Sequence, residues 1–155
     1  MDVFTFGTWG GIHLGDESYG QLTNFNLDCV AVGIFKQGSN TKNRNWMIAQ
    51  GSIIANAGET FEETHPIIIE GQGHTAFTNV EAFSGDNGAL TNVGKSNDFM
   101  LVRGDKKLTV SLVGSRMRNY ESAHPFTVEN PSAVIQAVAC LDKNENLFNE
   151  IIGVE

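Results

Sequence analysis

The stretch from Asp98 to Glu145, DFMLVRGDKKLTVSLVGSRMRNYESAHPFTVENPSAVIQAVACLDKNE, decides the fold. Helical periodicity is nearly absent from it. Short β-branched and aromatic runs that end in Gly, Asn, Asp or Ser are typical of β-strands. Four such runs follow one another, at 98–105, 107–117, 125–132 and 133–142. The stretch therefore predicts an all-β chain in which two kinds of strand alternate.

The same alternation extends towards the start of the chain. The first kind of strand is predicted at 11–18, 33–40, 66–73, 98–105 and 125–132, and the second at 21–28, 45–56, 75–83, 107–117 and 133–142. Within the second kind, Leu22-Thr23-Asn24-Phe25 and Phe77-Thr78-Asn79-Val80 match at an interval of 55 residues. A pair of strands thus recurs about five times, with insertions at 58–65 and 84–97.

A repeated pair of short strands predicts a right-handed parallel β-helix, a solenoid of about five coils. Coils of this kind stack about 4.8 Å apart and bury a continuous apolar interior that no single coil could bury alone. Their bends need left-handed backbone conformations, which Gly and Asn tolerate. The alternative is a β-sandwich, which predicts antiparallel hairpins, but only Asn87-Gly88 has the form of a hairpin turn.

The runs LTVSLVGSRMRN (108–119) and FTVEN (126–130), within the repeat from about 11 to 142, resemble a known family. They are similar to C-terminal coils of the pectate-lyase-like right-handed β-helix superfamily. This superfamily holds polygalacturonase-related glycoside hydrolases, polysaccharide lyases, fructotransferases and bacteriophage tailspikes or neck appendages. The resemblance implies an extracellular or virion-associated protein that binds or cleaves a polysaccharide. Its alternative implication is the non-catalytic shaft of a phage tailspike or bacterial adhesin.

Composition excludes several other classes of protein. The formal net charge of −8 and the pI near 4.9 oppose binding to nucleic acid phosphates or to anionic membranes. No apolar run is long enough for a transmembrane helix. Cys29 and Cys140 both lie in apolar strand-like runs, which indicates small buried side chains more than a disulfide. We expect no metal site and no cofactor.

Candidate site residues come from the predicted solenoid face. Side chains at one position of consecutive parallel strands lie about 4.8 Å apart, which suits an extended polysaccharide. Carboxyl groups one or two coils apart could reach the separations that glycoside hydrolysis requires. We therefore predict catalytic roles for Glu70, Asp86 and His74, and substrate-binding roles for Glu81, Arg103, Glu129 and Tyr120.

The family's catalytic motifs are not reproduced here. Polygalacturonase-like enzymes carry paired aspartates and a Gly-His-Gly step, and this chain has no Asp-Asp pair. Its nearest counterpart, Gly71-Gln72-Gly73-His74, has a different order and is alternatively a plain bend. His65 and His124 each precede a proline at the start of a strand of the first kind, which indicates a structural role. The missing motifs favour the structural shaft over the enzyme.

Residues 1–155 are interpreted as a single β-helix domain, which we expect to be a segment of a longer chain or to be capped by partner subunits. Residues 143–155 are predicted to form a C-terminal cap, in which four apolar side chains cover one end: Leu147, Phe148, Ile151 and Ile152. The start of the chain lacks the features of a signal peptide. We expect the protein to form a homo-oligomer, namely a trimer.

Overall fold

The structure, a computed structural model, describes residues 3–6, 10–15, 18–37, 45–55, 64–84 and 96–153. These residues form strands without a helix, so the prediction of an all-β chain is confirmed. The strands are β1 (Val3–Phe6), β2 (Gly10–Leu14), β3 (Gly20–Val30), β4 (Val32–Lys36), β5 (Trp46–Ala55), β6 (Ile67–Ile69), β7 (Gly73–Ser84), β8 (Met100–Val102), β9 (Leu108–Val113), β10 (Arg116–Arg118), β11 (Phe126–Val128), β12 (Ala133–Leu141) and β13 (Leu147–Gly153). In these ranges no helix is long and apolar enough to cross a membrane.

The two kinds of predicted strand form two different sheets. The five-stranded sheet has the spatial order β11-β8-β6-β4-β2, and its strands lie in the segments predicted as the first kind. The eight-stranded sheet has the order β1-β3-β5-β7-β10-β12-β13, and β9 pairs with both β7 and β12. From β1 to β8 the chain therefore enters the two sheets in strict alternation.

Neighbouring strands run parallel. Every pairing described within the five-stranded sheet is parallel, and in the eight-stranded sheet only β12 and β13 pair antiparallel. A sandwich built from antiparallel hairpins is therefore not the arrangement of these strands. Asn87-Gly88, the one predicted hairpin turn, lies outside the described residues.

The predicted match between Leu22 and Phe77 corresponds to the register of the sheet, because Leu22 pairs with Ile48 and Ile48 pairs with Phe77. Two residues further along β3, β5 and β7, the backbone enters the left-handed region in each strand. The same conformation recurs at the equivalent positions before β10 and within β12. The φ values along this left-handed column are 55° at Asn24, 56° at Gln50, 51° at Asn79, 63° at Gly114 and 52° at Ala139. The column divides the eight-stranded sheet into two arms along a single line.

Inward side chains of both sheets form one apolar cluster, arranged in columns with one side chain per strand. Burial of each large apolar side chain contributes about 1.5–3 kcal/mol before entropic costs. The columns are Ile48, Phe77, Leu112 and Ala137 in the first arm, Leu27, Ile53, Ala82 and Met117 in the second arm, and Ile34, Ile67, Met100 and Phe126 in the five-stranded sheet. Equal registers therefore produce a continuous interior.

Two buried residues were predicted from the sequence: His65, as a structural histidine, and Cys140, as a small buried side chain. His65 Nδ1 lies 2.9 Å from Asp98 Oδ1, and both side chains are buried just before the five-stranded sheet. The registers of β6, β8 and β11 place His65, Asp98 and His124 at equivalent positions. Cys140 is a buried free thiol whose pKa is raised by burial, as predicted for a small apolar side chain; the side chain of Cys29 is not described.

The last strand folds back over one end of the stack. β13 pairs antiparallel with β12, and Phe148 and Ile152 pack against the core. Leu147 and Ile151, the other two side chains expected to form a cap, face outwards and are exposed. Alternate residues of β13 therefore cover the interior.

The left-handed column predicts a specific cost for substitution at Gly114. A Cβ atom there would lie 2.5 Å from Asn79 Oδ1, and the left-handed conformation disfavours any residue with a Cβ. We expect Gly114→Ala to lower the free energy of unfolding by about 1–2 kcal/mol. Gly15→Ala is the control, because no atom lies within 4 Å of the added methyl group. Equal denaturation midpoints for both variants would contradict the role of the column.

Candidate functional site

Four polar side chains form a row immediately after the strands of the five-stranded sheet. Lys36, Ile69, Val102 and Val128 share one register position, so the residues that follow them share the next. The backbone ladder continues there, because Glu70 N–H donates to Lys36 O (2.9 Å) and Arg103 N–H donates to Ile69 O (3.1 Å). We call these residues the polar row: Gln37, Glu70, Arg103 and Glu129.

Side chains link the polar row across strands. The Arg103 Nε–H group donates to Glu70 Oε1, and the guanidinium carbon lies 6.0 Å from the centroid of the Phe35 ring. The His13 ring stacks on Phe35 at a centroid distance of 5.0 Å, and His13 Nε2 lies 3.0 Å from Gln37 Oε1. These contacts hold hydrogen-bonding groups and two planar rings in place along the edge of one sheet.

Glu129 is the open end of the polar row. Its side chain is exposed, and in the described part of the chain its carboxylate has no hydrogen-bond or ion-pair partner. Its backbone N–H donates to Val102 O at 2.8 Å, which keeps the residue in register with Arg103. The structure therefore brings together three of the predicted site residues, Glu70, Arg103 and Glu129.

A buried lysine supports the bend beneath the polar row. Lys36 points into the interior and is 1% exposed, and its Nζ donates to Glu70 O (3.3 Å) and Gln72 O (3.4 Å). Desolvation by burial lowers the pKa of Lys36 to about 8. At the equivalent bend that follows β8, Asn130 Nδ2 donates to Lys106 O at 2.9 Å. Interior polar side chains therefore fix the bends that carry the row.

His74 lies on the other side of the same bend, in a depression of about 300 Å³ lined by Asn45, Gly73, His74, Lys107 and Thr109. His74 N–H donates to Asn45 Oδ1 (3.1 Å), and its Nε2 lies 3.2 Å from Ser111 Oγ. The Lys107 ammonium group has no partner among the described residues, so the depression offers a free cationic donor beside an imidazole and an amide. We call it the His74 depression.

The remaining predicted site residues lie elsewhere. Glu81 is on the outer surface of the second arm, where its carboxylate lies 3.2 Å from Arg118 and 3.7 Å from Arg116. Tyr120 is buried, and burial raises the pKa of its hydroxyl. Asp86 lies outside the described residues. Of the predicted site residues, the structure therefore places Glu70, Arg103 and Glu129 in one row and His74 across the bend from Glu70.

Sequence reasoning did not identify the cavity that contains Tyr120. This C-terminal cavity of about 350 Å³ lies between β13 and the loop that follows β10, and is lined by Tyr120, Ala123, His124, Pro125, Asp142, Phe148, Asn149 and Glu150. Phe126 N–H donates to His124 Nδ1 (3.2 Å), and His124 Nε2 lies 2.8 Å from Glu150 Oε2. No repeat or motif joins His124 to Glu150, because their contact depends on the antiparallel return of β13.

Comparison with known proteins does not assign the chain to a family or a function. No family model, no curated protein and no solved structure matches the chain. Within the described ranges, no group of three or more His, Cys, Asp or Glu side chains is placed to hold a metal ion. The site is therefore interpreted from its own geometry.

The lowered pKa of Lys36 predicts a pH-dependent stability. Between about pH 8 and the ordinary lysine pKa of 10.5, the unfolded chain binds a proton that the folded chain lacks, so folding becomes more favourable as pH rises. We expect Lys36 to contribute about 2 kcal/mol to this rise, while the raised pKa values of Cys140 and Tyr120 act in the opposite direction over the same interval. Lys36→Met should remove the lysine contribution, which is measured as the difference between the wild-type and variant profiles in urea denaturation at a series of pH values.

Lys143→Met is the control for this measurement. Lys143 donates to three backbone carbonyls on the chain surface, including Ser122 O at 2.7 Å, so its removal should leave the alkaline rise intact. An unchanged rise in Lys36→Met would show that Lys36 is not the titrating group.

Proposed function

We propose that the chain is a right-handed parallel β-helix that binds an extended polysaccharide along its polar row. The solenoid part of this proposal is supported by the alternation of strands between two sheets, the parallel registers and the main apolar cluster, to which both sheets contribute. The left-handed column also supports it, because a bend repeated at one register position is what a stack of similar coils requires.

The observation that carries the binding proposal is the repetition of the polar row. Its four members come from neighbouring strands about 4.8 Å apart, so they span about 14 Å in a straight line. An extended polysaccharide presents hydroxyl groups at regular intervals along a comparable line. The paired Arg103 and Glu70 provide donors and acceptors to such hydroxyls, and the stacked His13 and Phe35 rings provide an apolar surface for a sugar ring.

The His74 depression extends this surface across the bend. It adds the free ammonium group of Lys107 and the side chain of Asn45 to the groups that a sugar could contact. Its volume of about 300 Å³ is at the lower end of small-ligand sites. We therefore propose that the polymer runs along the polar row and that a branch or substituent enters the depression.

Binding is favoured over cleavage by the contacts of Glu70. Its carboxylate is held by Arg103, whereas glycoside hydrolysis needs one carboxyl that delivers a proton and a second placed about 5–9.5 Å away. Glu129 belongs to a strand two positions from that of Glu70, so the backbone spacing separates them by about 9.6 Å, at the upper limit of that range, and Glu70 remains the carboxylate that Arg103 holds. Cleavage by Glu70 with Asp86 and His74 would be the enzymatic form of the proposal, and a reducing-sugar assay detects it.

The proposal predicts that binding depends on Arg103. In a glycan array, we expect the wild type to retain a polysaccharide and Arg103→Gln to lose at least about tenfold in affinity, because charge-assisted contacts of this kind are worth about 1.5–3 kcal/mol. Arg118→Gln is the matched control, because Arg118 is also a half-exposed arginine paired with a glutamate, but on the second arm. Loss of binding in Arg118→Gln but not in Arg103→Gln would contradict binding along the polar row and would indicate a site on the surface that carries Glu81.

The same array tests the structural alternative. If no polysaccharide binds and no reducing ends appear, the polar row has no carbohydrate function and the coils serve as a rigid shaft. A bound polysaccharide without new reducing ends supports the proposal as stated.

A further inference from the structure

The C-terminal cavity combines negatively charged groups with apolar ones. Its lining includes the carboxylates of Asp142 and Glu150 together with the apolar side chains of Phe148 and Pro125, and its volume is about 350 Å³. That volume is at the lower end of small-ligand sites. The side chains of Glu150 and His124 are 36% and 43% exposed, so a ligand can reach them from solvent. The cavity therefore offers both kinds of contact that an amphipathic small molecule makes.

Glu150 has one carboxylate oxygen available to a ligand. Phe126 N–H donates to His124 Nδ1 (3.2 Å), so the neutral imidazole carries its proton on Nε2 and donates it to Glu150 Oε2 (2.8 Å). Among the described residues, no hydrogen-bond or ion-pair partner lies at Glu150 Oε1. A carboxylate that one donor orients and that is open at its second oxygen readily accepts a further N–H group.

Asp142 contributes a second negative charge to the cavity. Its Oδ1 accepts the backbone N–H groups of Asn146 and Asn144, each at 2.8 Å, and the bond from Asn146 is the main cause that lowers the pKa of this carboxyl. The charge reaches the Tyr120 hydroxyl, whose pKa is raised first by burial and also by Asp142. The described lining therefore carries two carboxylates and no permanent positive charge.

An ammonium group of the chain itself already lies in this environment. Lys143 Nζ is 4.8 Å from the centroid of the Tyr120 ring, and it donates to the backbone carbonyls of Tyr120 (3.4 Å), Glu121 (3.3 Å) and Ser122 (2.7 Å). An aromatic ring and carbonyl oxygens thus stabilise an organic cation here. Lys143 offsets one of the two carboxylates of the lining, so negative charge remains in excess while His124 is neutral.

We propose that the C-terminal cavity binds a small organic ammonium compound, whose charged group pairs with Glu150 and whose apolar body packs against Phe148 and Pro125. An anionic ligand would meet the carboxylates, and a wholly apolar ligand would desolvate them without a partner. The net charge of −8 also attracts cations to the molecule. The cavity precedes β11 and the polar row follows it, so this proposal is independent of polysaccharide binding.

Titration of the wild type with benzylamine at neutral pH, followed by amide chemical shifts in nuclear magnetic resonance spectra, tests this proposal. Benzyl alcohol and benzoate carry the same ring without a charge and with a negative charge. We expect benzylamine to cause saturable shifts at Ala123, Phe148 and Asn149. The other two probes should bind at least about fivefold more weakly, because they cannot form a charge-assisted hydrogen bond with Glu150.

Glu150→Gln should weaken benzylamine binding by a similar factor, because it removes the charge but keeps an oxygen that accepts from His124 Nε2. Glu81→Gln is the matched control, since the Glu81 side chain is 34% exposed, against 36% for Glu150, and pairs with Arg118 on the second arm. We expect it to bind benzylamine as the wild type does.

Three results would overturn the proposal. They are the absence of saturable shifts at the cavity, equal affinities for benzylamine and benzyl alcohol, and an undiminished affinity in Glu150→Gln. If Glu150→Gln fails to fold, the comparison of the three probes on the wild type decides, because it needs no variant.

Discussion

The structure depends on one constraint, which is that five successive passages of the chain through the larger sheet, in β3, β5, β7, β9–β10 and β12, bend at the same register position. The five residues of the left-handed column come from neighbouring strands, and each has a φ between 51° and 63°. If one of these residues straightened, the strand beyond it would leave its neighbours, and its inward side chain would leave the column. The polar row needs the same alignment, because its four members lie next to each other only while the strands remain in register. The apolar core, the left-handed column and the polar row therefore all require the strands to remain in register.

The sequence predicted those features that repeat. The alternation of strands was visible because Val, Ile and Phe recur between Gly and Asn, and the match of Leu22 with Phe77 identified a true register position. Grouping Glu70, Arg103 and Glu129 followed from the same repeat, since each comes directly after a strand of the first kind. At Gln50 and Ala139, by contrast, no residue preference revealed the left-handed conformation, because neighbouring strands impose it there against the cost of a Cβ.

Features that depend on a single long-range contact were not predictable. Glu81 and Tyr120 were predicted to bind the same substrate as Arg103 and Glu129. Instead, Glu81 lies on the second arm beside a pair of arginines, and Tyr120 is buried. The antiparallel return of β13 brings Glu150 to His124, and the sequence repeat does not predict this contact. The burial of Lys36 was also missed, because a lysine at the end of a strand is usually solvated and here it binds carbonyls inside the bend.

Nuclear Overhauser measurements on the isotopically labelled chain test the stacking most directly. The account predicts contacts of the Phe77 ring with the methyl groups of both Ile48 and Leu112, and strong contacts between α-protons only in the pair β12 and β13, where the strands run antiparallel. Strong contacts between α-protons of β5 and β7, or a Phe77 ring without contact to Ile48, would contradict it.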